Sequence, residues 1–394
     1  MTFIRRYREA HWPEIRPLSH VTFAANEAYA FRQESREADS HKVRGEEPAA
    51  GQPAVCSLWR AMPCVLVALL LGTLSAGSFA GEPGATPADV RTEDVTRFFR
   101  VLDTANGRPS ADALQRDYLD AGSDALKEFT AMRIGSMERL AEAIVKNPAL
   151  YEHARSCAAA MSEIRERVVD ALGKLEATLP MARFPPVTIL VGRGNTGGVT
   201  TPAGVVIGLE TLCNADWMQA SVGDRFVHLI AHEFVHVQQH GAAVEMAEPT
   251  LLYQTLLEGG AEYVGELISG QVANAHLRAW THGRECALES EFLADSDETD
   301  LSRWLYNGPG DDDRRGDLGY WVGYRIAHAY VARARDREKA IAELLDVRPE
   351  TAVELFEASG WQPSCSEATL HDADTIHQIN LEQMDWSSQS LVDT

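Results

Sequence analysis

Residues 232–236 read His232-Glu233-Phe234-Val235-His236, and they lie inside a longer run that covers residues 224–239. Asp224 is a suitable N-cap residue for this run, and Gly241 suits the position just beyond a helix end. The apolar residues of the run recur at the spacing of one helix face, and they are Phe226, Val227, Ile230, Phe234 and Val237. The run therefore predicts one amphipathic helix.

Two histidines on this helix have the spacing of metal ligands. His232 and His236 are four residues apart, so both project from the same face and can share one zinc ion. Glu233 is rotated away from the metal but near enough to reach a water on it, which is the general-base position. His228 and His240 extend the stripe, but only His232 is followed directly by Glu. The alternative is a helix whose histidines are hydrogen-bonded core residues.

A third ligand is expected on the next helix. The segment Glu258-Gly259-Gly260-Ala261-Glu262-Tyr263 begins 22 residues after His236. A catalytic zinc has three protein ligands and one open position, so we predict Glu258 as the third ligand. Glu262, one turn further, would accept from a ligand imidazole and fix its tautomer. These acids alternatively form a solvated face, but two glycines inside a helix are costly unless backbones approach closely.

The order HEFVH and then EGGAEY resembles the gluzincin pattern, in which a Glu on a following helix completes the HExxH site. The chain is more closely similar to bacterial proteins described as predicted Zn-dependent proteases and known mainly by a domain-of-unknown-function label. That resemblance covers residues 185–345 and includes the segments at 191–195, 208–210, 266–270 and 319–324. The metzincin pattern does not fit, because Gln239 and Ala242 stand where its Gly and His would be.

The resemblance implies an α+β, mostly helical fold. A gluzincin-like catalytic core would carry a small β-sheet or hairpin beside the HExxH helix, preceded by a helical region. It also implies one Zn²⁺ per chain and peptide hydrolysis. A donor for the oxyanion is then expected about sixty residues past the third ligand, where Tyr320 and Tyr324 are candidates and His328 a weaker one. The alternative for both tyrosines is packing in the core.

Two β-rich segments precede the metal helix. Residues 187–191 and 205–207 are rich in Val and Ile, and the glycine-rich residues 192–198 between them are typical of a turn. They predict a hairpin or two neighbouring strands. Either residues 187–191 or residues 205–208 would serve as an edge strand for an extended peptide, unless the hairpin is buried. No GK[ST] motif follows the glycines, which argues against a nucleotide site.

The amino-terminal part differs from the rest. We expect residues 1–57 to be disordered or an extension that the true translation start excludes. Residues 58–80 are predicted to be a secretory signal, with Arg60 before a short apolar run and the small residues Ser78 and Ala80 before the cleavage point. Residues 81–183 would form the helical amino-terminal region and residues 184–394 the catalytic domain. The protein is then periplasmic or secreted.

Composition narrows the partners. The formal net charge of −22 argues against nucleic acid and anionic membrane surfaces, so a peptide or protein substrate is the expected partner, without membrane contact after signal cleavage. Four cysteines remain after export, and three pairings are open; they are Cys157, Cys213, Cys286 and Cys365. We therefore predict an exported zinc-dependent peptidase. The alternatives are a zinc-holding pseudoenzyme or peptide- or cell-wall-binding module, and a non-peptidase zinc hydrolase.

Overall fold

The computed structural model describes residues 89–239, 248–271 and 274–365, where helices surround one small sheet. The predictions for residues 1–57 and 58–80, and those for His240 and Gly241, lie outside the described residues. The helices of the described part are α1 Glu93–Thr104, α2 Ala111–Leu114, α3 Asp124–Phe129, α4 Met137–Lys146, α5 Pro148–Cys157, α6 Met161–Thr178, α7 Leu209–Cys213, α8 Val222–Gln238, α9 Leu251–Ser269, α10 Ala275–Thr281, α11 Glu285–Asp295, α12 Leu318–Arg333, α13 Arg337–Leu345 and α14 Ala352–Ser359. The expected α+β, mostly helical architecture is confirmed.

Within the described residues the sheet has four strands, β1 Val90–Arg91, β2 Val187–Leu190, β3 Gly198–Thr201 and β4 Gly204–Gly208. Their order across the sheet is β1-β2-β4-β3. β1 and β2 are parallel, β2 and β4 are parallel, and β3 and β4 form an antiparallel hairpin. Strands β2 and β4 are buried along their whole length, as their nearly continuous apolar sequences lead one to expect.

Of the two predicted arrangements of the β-rich segments, the neighbouring strands are confirmed, because β2 and β4 pair directly. The expectation that one of them is the sheet edge is wrong, since β2 lies between β1 and β4 and β4 lies between β2 and β3. The edge on this side of the described sheet is β3 (Gly198–Thr201). Part of the presumed turn is thus a strand, which a two-residue turn at Pro202 and Ala203 folds back onto β4.

A buried carboxylate holds the loop between β2 and β3. Glu210, on α7, accepts hydrogen bonds from the backbone N–H groups of Gly192 and Gly194, each at 2.9 Å. Burial raises the pKa of the Glu210 carboxyl, although these two donors oppose that rise. The two segments at 191–195 and 208–210 therefore form one unit that sets where β3 begins.

The caps of the two central helices follow from local sequence. The Ser221 side chain caps α8 by accepting from the backbone N–H of Asp224 at 3.3 Å. Asp224 is therefore not the N-cap: it lies in the first helical turn and pairs with Arg167 at 2.6 Å. Thr250 caps the start of α9, and Gly270, with a φ of +68°, follows its last residue.

Helix α9 is the centre of the helical layer and packs against α8 on one side and α12 on the other. Glu258 lies beside His236, whereas Glu262 lies beside His228, so the order of contacts shows that α8 and α9 run antiparallel. On the other side, a Cβ atom at Gly259 would stand 2.0 Å from the carbonyl carbon of Gly323 on α12. The helices touch backbone to backbone here, which explains the glycine next to Glu258.

Two disulfide bonds join distant parts of the chain, Cys157–Cys213 and Cys286–Cys365. The first links α5 to α7, which follows the sheet, so residues before and after 183 are covalently joined; the domain boundary at that point stays a prediction. The second disulfide fixes the end of the described chain to α11. Within the described residues no helix is both long and apolar enough to cross a membrane.

Candidate metal centre

Three predicted ligands converge between α8 and α9. The Nε2 atoms of His232 and His236 lie 2.9 Å apart. Oε2 of Glu258 lies 3.4 Å from Nε2 of His232 and 3.2 Å from Nε2 of His236. The ligand atoms of these three residues all fall within 4.8 Å of one another. In the folded chain, two nitrogen atoms from His232 and His236 and one oxygen atom from Glu258 thus lie close together, as their spacing in the sequence predicted.

Oxygen atoms of neighbouring side chains lie beside both imidazole rings. Oε1 of Glu262 lies 3.1 Å from Nδ1 of His232, although that nitrogen is not aligned for a hydrogen bond, and Oε2 of Glu262 lies 3.0 Å from Nε2 of His228. Nδ1 of His236 lies 2.7 Å from Oε1 of Gln239. Glu262 was predicted for this position, and Gln239 was missed. The sequence signal for Gln239 was its place three residues after His236, directly after the last residue of α8.

Gln239 in turn donates from Nε2 to the carbonyl oxygen of Leu257 on α9, at 2.8 Å. Its amide oxygen can therefore only be an acceptor for His236, which places the imidazole proton on Nδ1 and leaves Nε2 as a metal donor. The donor set is then two imidazole nitrogens and one carboxylate oxygen, which suits zinc. Two nitrogen lone pairs at this separation repel each other unless a cation or proton lies between them, so the residues present fit the metal.

The charges of the site are strongly coupled. Burial disfavours the imidazolium forms, but Glu262 and Glu258 outweigh this and raise the pKa of His232 well above its ordinary value, and Glu258 raises the pKa of His236. Burial would raise the pKa of Glu258 and of Glu262 as well, yet the adjacent histidines hold both below their ordinary value. The carboxylates thus favour the protonated imidazoles in the metal-free site, so we expect metal binding to release protons.

Strand β3 lies directly against Glu233. The Thr200 hydroxyl donates to Oε2 of Glu233 at 2.9 Å, and a Cβ atom at Gly198 would stand only 2.9 Å from Oε1 of the same carboxylate. Glu233 is buried and projects towards the sheet edge, one residue from the ligand His232. Sequence reasoning found Glu233 but missed Thr200, since nothing in the local pattern shows which strand residue faces the helix.

The two candidate tyrosines occupy different surroundings. The Tyr320 ring lies 6.2 Å from the His232 ring, centroid to centroid. Burial and nearby carboxylates raise the pKa of Tyr320 well above 10, so its hydroxyl keeps its proton. The Tyr324 hydroxyl instead donates to Oε1 of Glu266 at 3.0 Å, and its ring stacks on Trp321. His328 lies beyond Tyr324, with its ring 6.3 Å away.

A third tyrosine at the site was missed. The Tyr306 hydroxyl donates to Oε1 of Glu258 and accepts from Nε2 of Gln254 at 2.7 Å. Its ring meets the Tyr320 ring edge-on, at 6.1 Å between centroids. Tyr306 lies in the irregular, Asp-rich stretch before α12, where no periodicity indicates which residue points towards α9.

Comparison with known proteins agrees with this geometry. No curated protein matches the chain, and no solved structure matches it either. The model of a family described as "Predicted Zn-dependent protease (DUF2268)" matches residues 170–354. That segment contains α8 and α9 in full, together with β2, β3 and β4. Over residues 170–354 the chain is therefore similar to the family of predicted Zn-dependent proteases.

Proposed function

We propose that this protein is an exported zinc-dependent peptidase of the gluzincin type, with one zinc per chain. The observation that carries the proposal is the convergence of His232, His236 and Glu258, with Glu233 one residue from a ligand and facing the edge of the sheet. A zinc ion held by the three ligands would supply Lewis-acid activation of a water and of the scissile carbonyl. The family described as predicted Zn-dependent protease supports the same chemistry.

The side chains around the ligands divide the remaining work. Glu233 takes a proton from the attacking water and delivers it to the leaving nitrogen. Thr200 donates to the Glu233 carboxylate and so keeps it at the edge of β3. Tyr320 beside His232 is the donor for the oxyanion, because it is close to the ligands and its raised pKa keeps the hydroxyl protonated. Glu262 orients His232 and Gln239 orients His236.

Strand β3 is the surface on which the substrate lies. Among the described strands it pairs only with β4, so its outer edge offers backbone donors and acceptors to an extended peptide. Gly198 and Thr200 place this edge against Glu233. A peptide added to β3 would therefore pass the general base, which favours a peptide or protein substrate over a small ester or sugar.

Two observations support export to the periplasm or the medium. The four cysteines that remain after residue 80 form two disulfide bonds, which persist in oxidising compartments. The signal-like sequence of residues 58–80 would direct the chain to the export machinery.

The net charge of −22 argues against a nucleic acid as the partner and so favours a peptide.

Metal content and peptide hydrolysis test the proposal together. Purified protein should contain one zinc per chain by atomic emission, and His232→Ala should lose it. Glu233→Gln should keep the zinc but hydrolyse a peptide library about 10²–10⁴-fold more slowly, because the water loses its base. Glu343→Gln on the surface helix α13 is the control and should leave both properties unchanged.

The outcomes separate the alternatives. Absence of zinc from the wild-type protein overturns the central claim. Zinc without cleavage of any peptide, or a Glu233→Gln protein as active as wild type, indicates a zinc-holding module or another hydrolase. For the ligand assignment, Glu258→Ala should abolish stoichiometric zinc, whereas Glu262→Ala should weaken binding by about 10–100-fold. If Glu262→Ala instead abolished zinc binding and Glu258→Ala only weakened it, Glu262 would be the ligand and Glu258 the residue that orients a histidine.

A further inference from the structure

The two carboxylate oxygens of Glu258 face opposite sides. Oε2 points to the Nε2 atoms of His232 and His236. Oε1 accepts a hydrogen bond from the Tyr306 hydroxyl, and Nε2 of Gln254 lies 3.4 Å from it. One oxygen is thus directed at the metal position, while the other is occupied by donors from the opposite side. A carboxylate with both oxygens free can rotate or bind a metal through both of them.

The backbone around Tyr306 is held in place independently of the site. Tyr306 has a φ of +57°, in the left-handed region that non-glycine residues rarely adopt. The next residue, Asn307, is clamped to Asp317: its N–H donates to Oδ1 of Asp317 at 3.0 Å, and its own Oδ1 accepts from the N–H of Asp317 at 2.6 Å. On the other side Trp304 and Leu305 are each only 1% exposed.

The hydroxyl group itself is directed by α9. Gln254 lies one turn before Glu258 and donates to the Tyr306 oxygen at 2.7 Å. With its oxygen accepting from Gln254, the Tyr306 proton is directed to Glu258. The residue keeps 43% of its surface exposed even though its hydroxyl reaches the ligand, so packing of the ring does not explain its position. An unusual backbone conformation at a residue whose hydroxyl makes two part-buried hydrogen bonds beside the predicted ligands points to a role at the site.

We propose that Tyr306 is a positioning residue that holds Glu258 as a one-oxygen ligand of the metal. Its hydroxyl occupies Oε1, so that only Oε2 binds and a coordination position stays open for water and substrate. The assignment rests on the proposed metal site but not on peptide hydrolysis. The edge-on contact between Tyr306 and Tyr320 extends the effect, because the same residue also supports the proposed oxyanion donor.

The test measures metal binding in the full chain. Tyr306→Phe removes the hydroxyl and keeps the ring, and Tyr330→Phe is the matched control, since the Tyr330 hydroxyl also donates to a carboxylate, Oε2 of Glu343 at 2.8 Å, away from the site. Zinc affinity is measured by competition with a chromophoric chelator. Tyr306→Phe should bind zinc about 10–100-fold more weakly, whereas Tyr330→Phe should match wild type.

Cobalt substitution supplies a spectroscopic readout. If Glu258 binds through both oxygens in Tyr306→Phe, the visible absorption of the Co²⁺ protein should weaken, as expected for a higher coordination number. Gln254→Leu, measured in the same way, carries the test if Tyr306→Phe does not fold, with a smaller loss of affinity expected. A zinc-binding wild type whose Tyr306→Phe variant has the same affinity and cobalt spectrum overturns this assignment alone. A wild type that binds no zinc overturns the proposed function as well.

Discussion

At the scale of single residues, Tyr320 and Tyr324 have different surroundings, although the sequence offered both as candidates for the same role. Both lie on α12, four residues apart. One ring faces His232, and the other hydroxyl is bound to Glu266. Of the two, Tyr320 is therefore the one that we propose as the oxyanion donor, because the Tyr324 hydroxyl is already engaged with the buried carboxylate of Glu266.

Substitution of the two tyrosines should therefore separate catalysis from stability. Tyr320→Phe should lower kcat by about 10²–10³-fold with zinc retained, because the oxyanion loses its donor. Tyr324→Phe should keep kcat within a few-fold but cost about 1–3 kcal/mol of unfolding free energy, because Glu266 loses a partner. Steady-state kinetics and urea unfolding measure the two effects. Equal losses of kcat in both variants would contradict the assignment.

The surroundings of Asp317 should make the stability of the protein depend on pH. Burial raises the pKa of its carboxyl from 3.8 to about 7. Since the folded state holds this proton where the unfolded state has released it, folding takes up a proton between about pH 4 and 7. The contribution of Asp317 to stability therefore becomes less favourable as the pH rises through that window, and stays unfavourable above it.

Asp317→Asn should remove this dependence. The amide oxygen can still accept from the N–H of Asn307, and Asn tolerates the φ of +58° found at this position. Relative to wild type, the metal-free variant should gain stability between pH 4 and 7, levelling off at about 2 kcal/mol because the half-buried group is partly screened. Urea unfolding at a series of pH values measures this. The exposed Asp124→Asn is the control, and a difference that does not change with pH would contradict the prediction.

At the scale of secondary-structure elements, the contact between α9 and α12 decides where Glu258 stands. A Cβ atom at Gly259 would stand 2.0 Å from backbone of Gly323, but at Gly260 it would stand 3.3 Å from the side chain of Leu344. Backbone cannot yield, whereas a leucine side chain can shift by a few tenths of an ångström. Gly259 is therefore required by the close approach of two backbones, whereas Gly260 contacts only a side chain that can move.

Alanine at each glycine should consequently have opposite effects. Gly259→Ala should destabilise the protein by about 1–3 kcal/mol or more, and it should weaken zinc binding because α9 and Glu258 are displaced. Gly260→Ala should be close to neutral or stabilise by up to about 1 kcal/mol, since alanine favours the helix. Thermal unfolding and zinc content test the pair. Similar losses at both positions would show that the helices do not approach as closely as described.

At the scale of the whole molecule, the disulfide bonds connect parts of the chain that carry none of the predicted metal ligands. Cys286 and Cys365 are 79 residues apart in sequence, and their bond fixes the end of the described chain to α11. Beside it, Glu289 accepts from the backbone N–H of Ser364 at 2.8 Å and pairs with Arg325 of α12 at 2.6 Å. The segment therefore closes the fold behind the helices that carry the site.

Removing this cross-link should weaken the fold without emptying the metal site. A Cys286→Ala, Cys365→Ala double variant should lose about 2–5 kcal/mol of stability, since a long loop of the unfolded chain is no longer closed. Zinc content should be unchanged in the folded protein, because none of the three proposed ligands lies between Cys286 and Cys365. Thiol titration and thermal unfolding test this. A wild-type protein with four free thiols would contradict the pairing.

The sequence by itself determined the parts of this protein that depend on local periodicity. The spacing of His232 and His236 on one face of α8 follows from which residues lie together over a few helical turns. The mostly helical α+β class was expected from the family resemblance that these residues carry. Glu258 was within reach of the same reasoning, because a short connection between two amphipathic helices leaves them antiparallel. These features need only neighbours in the chain.

Only the tertiary structure decided which distant groups meet. Thr200 and Tyr306 reach the site from a strand and a loop, where no period marks the inward-facing residue. The cysteines allowed three pairings, and the edge strand became β3 because a tight turn folds it onto β4. Contacts of this kind depend on how whole elements pack around a core. For that reason the sequence could predict that His232, His236 and Glu258 converge, with Glu262 beside them, whereas it could not predict Thr200 and Tyr306, which come from other elements.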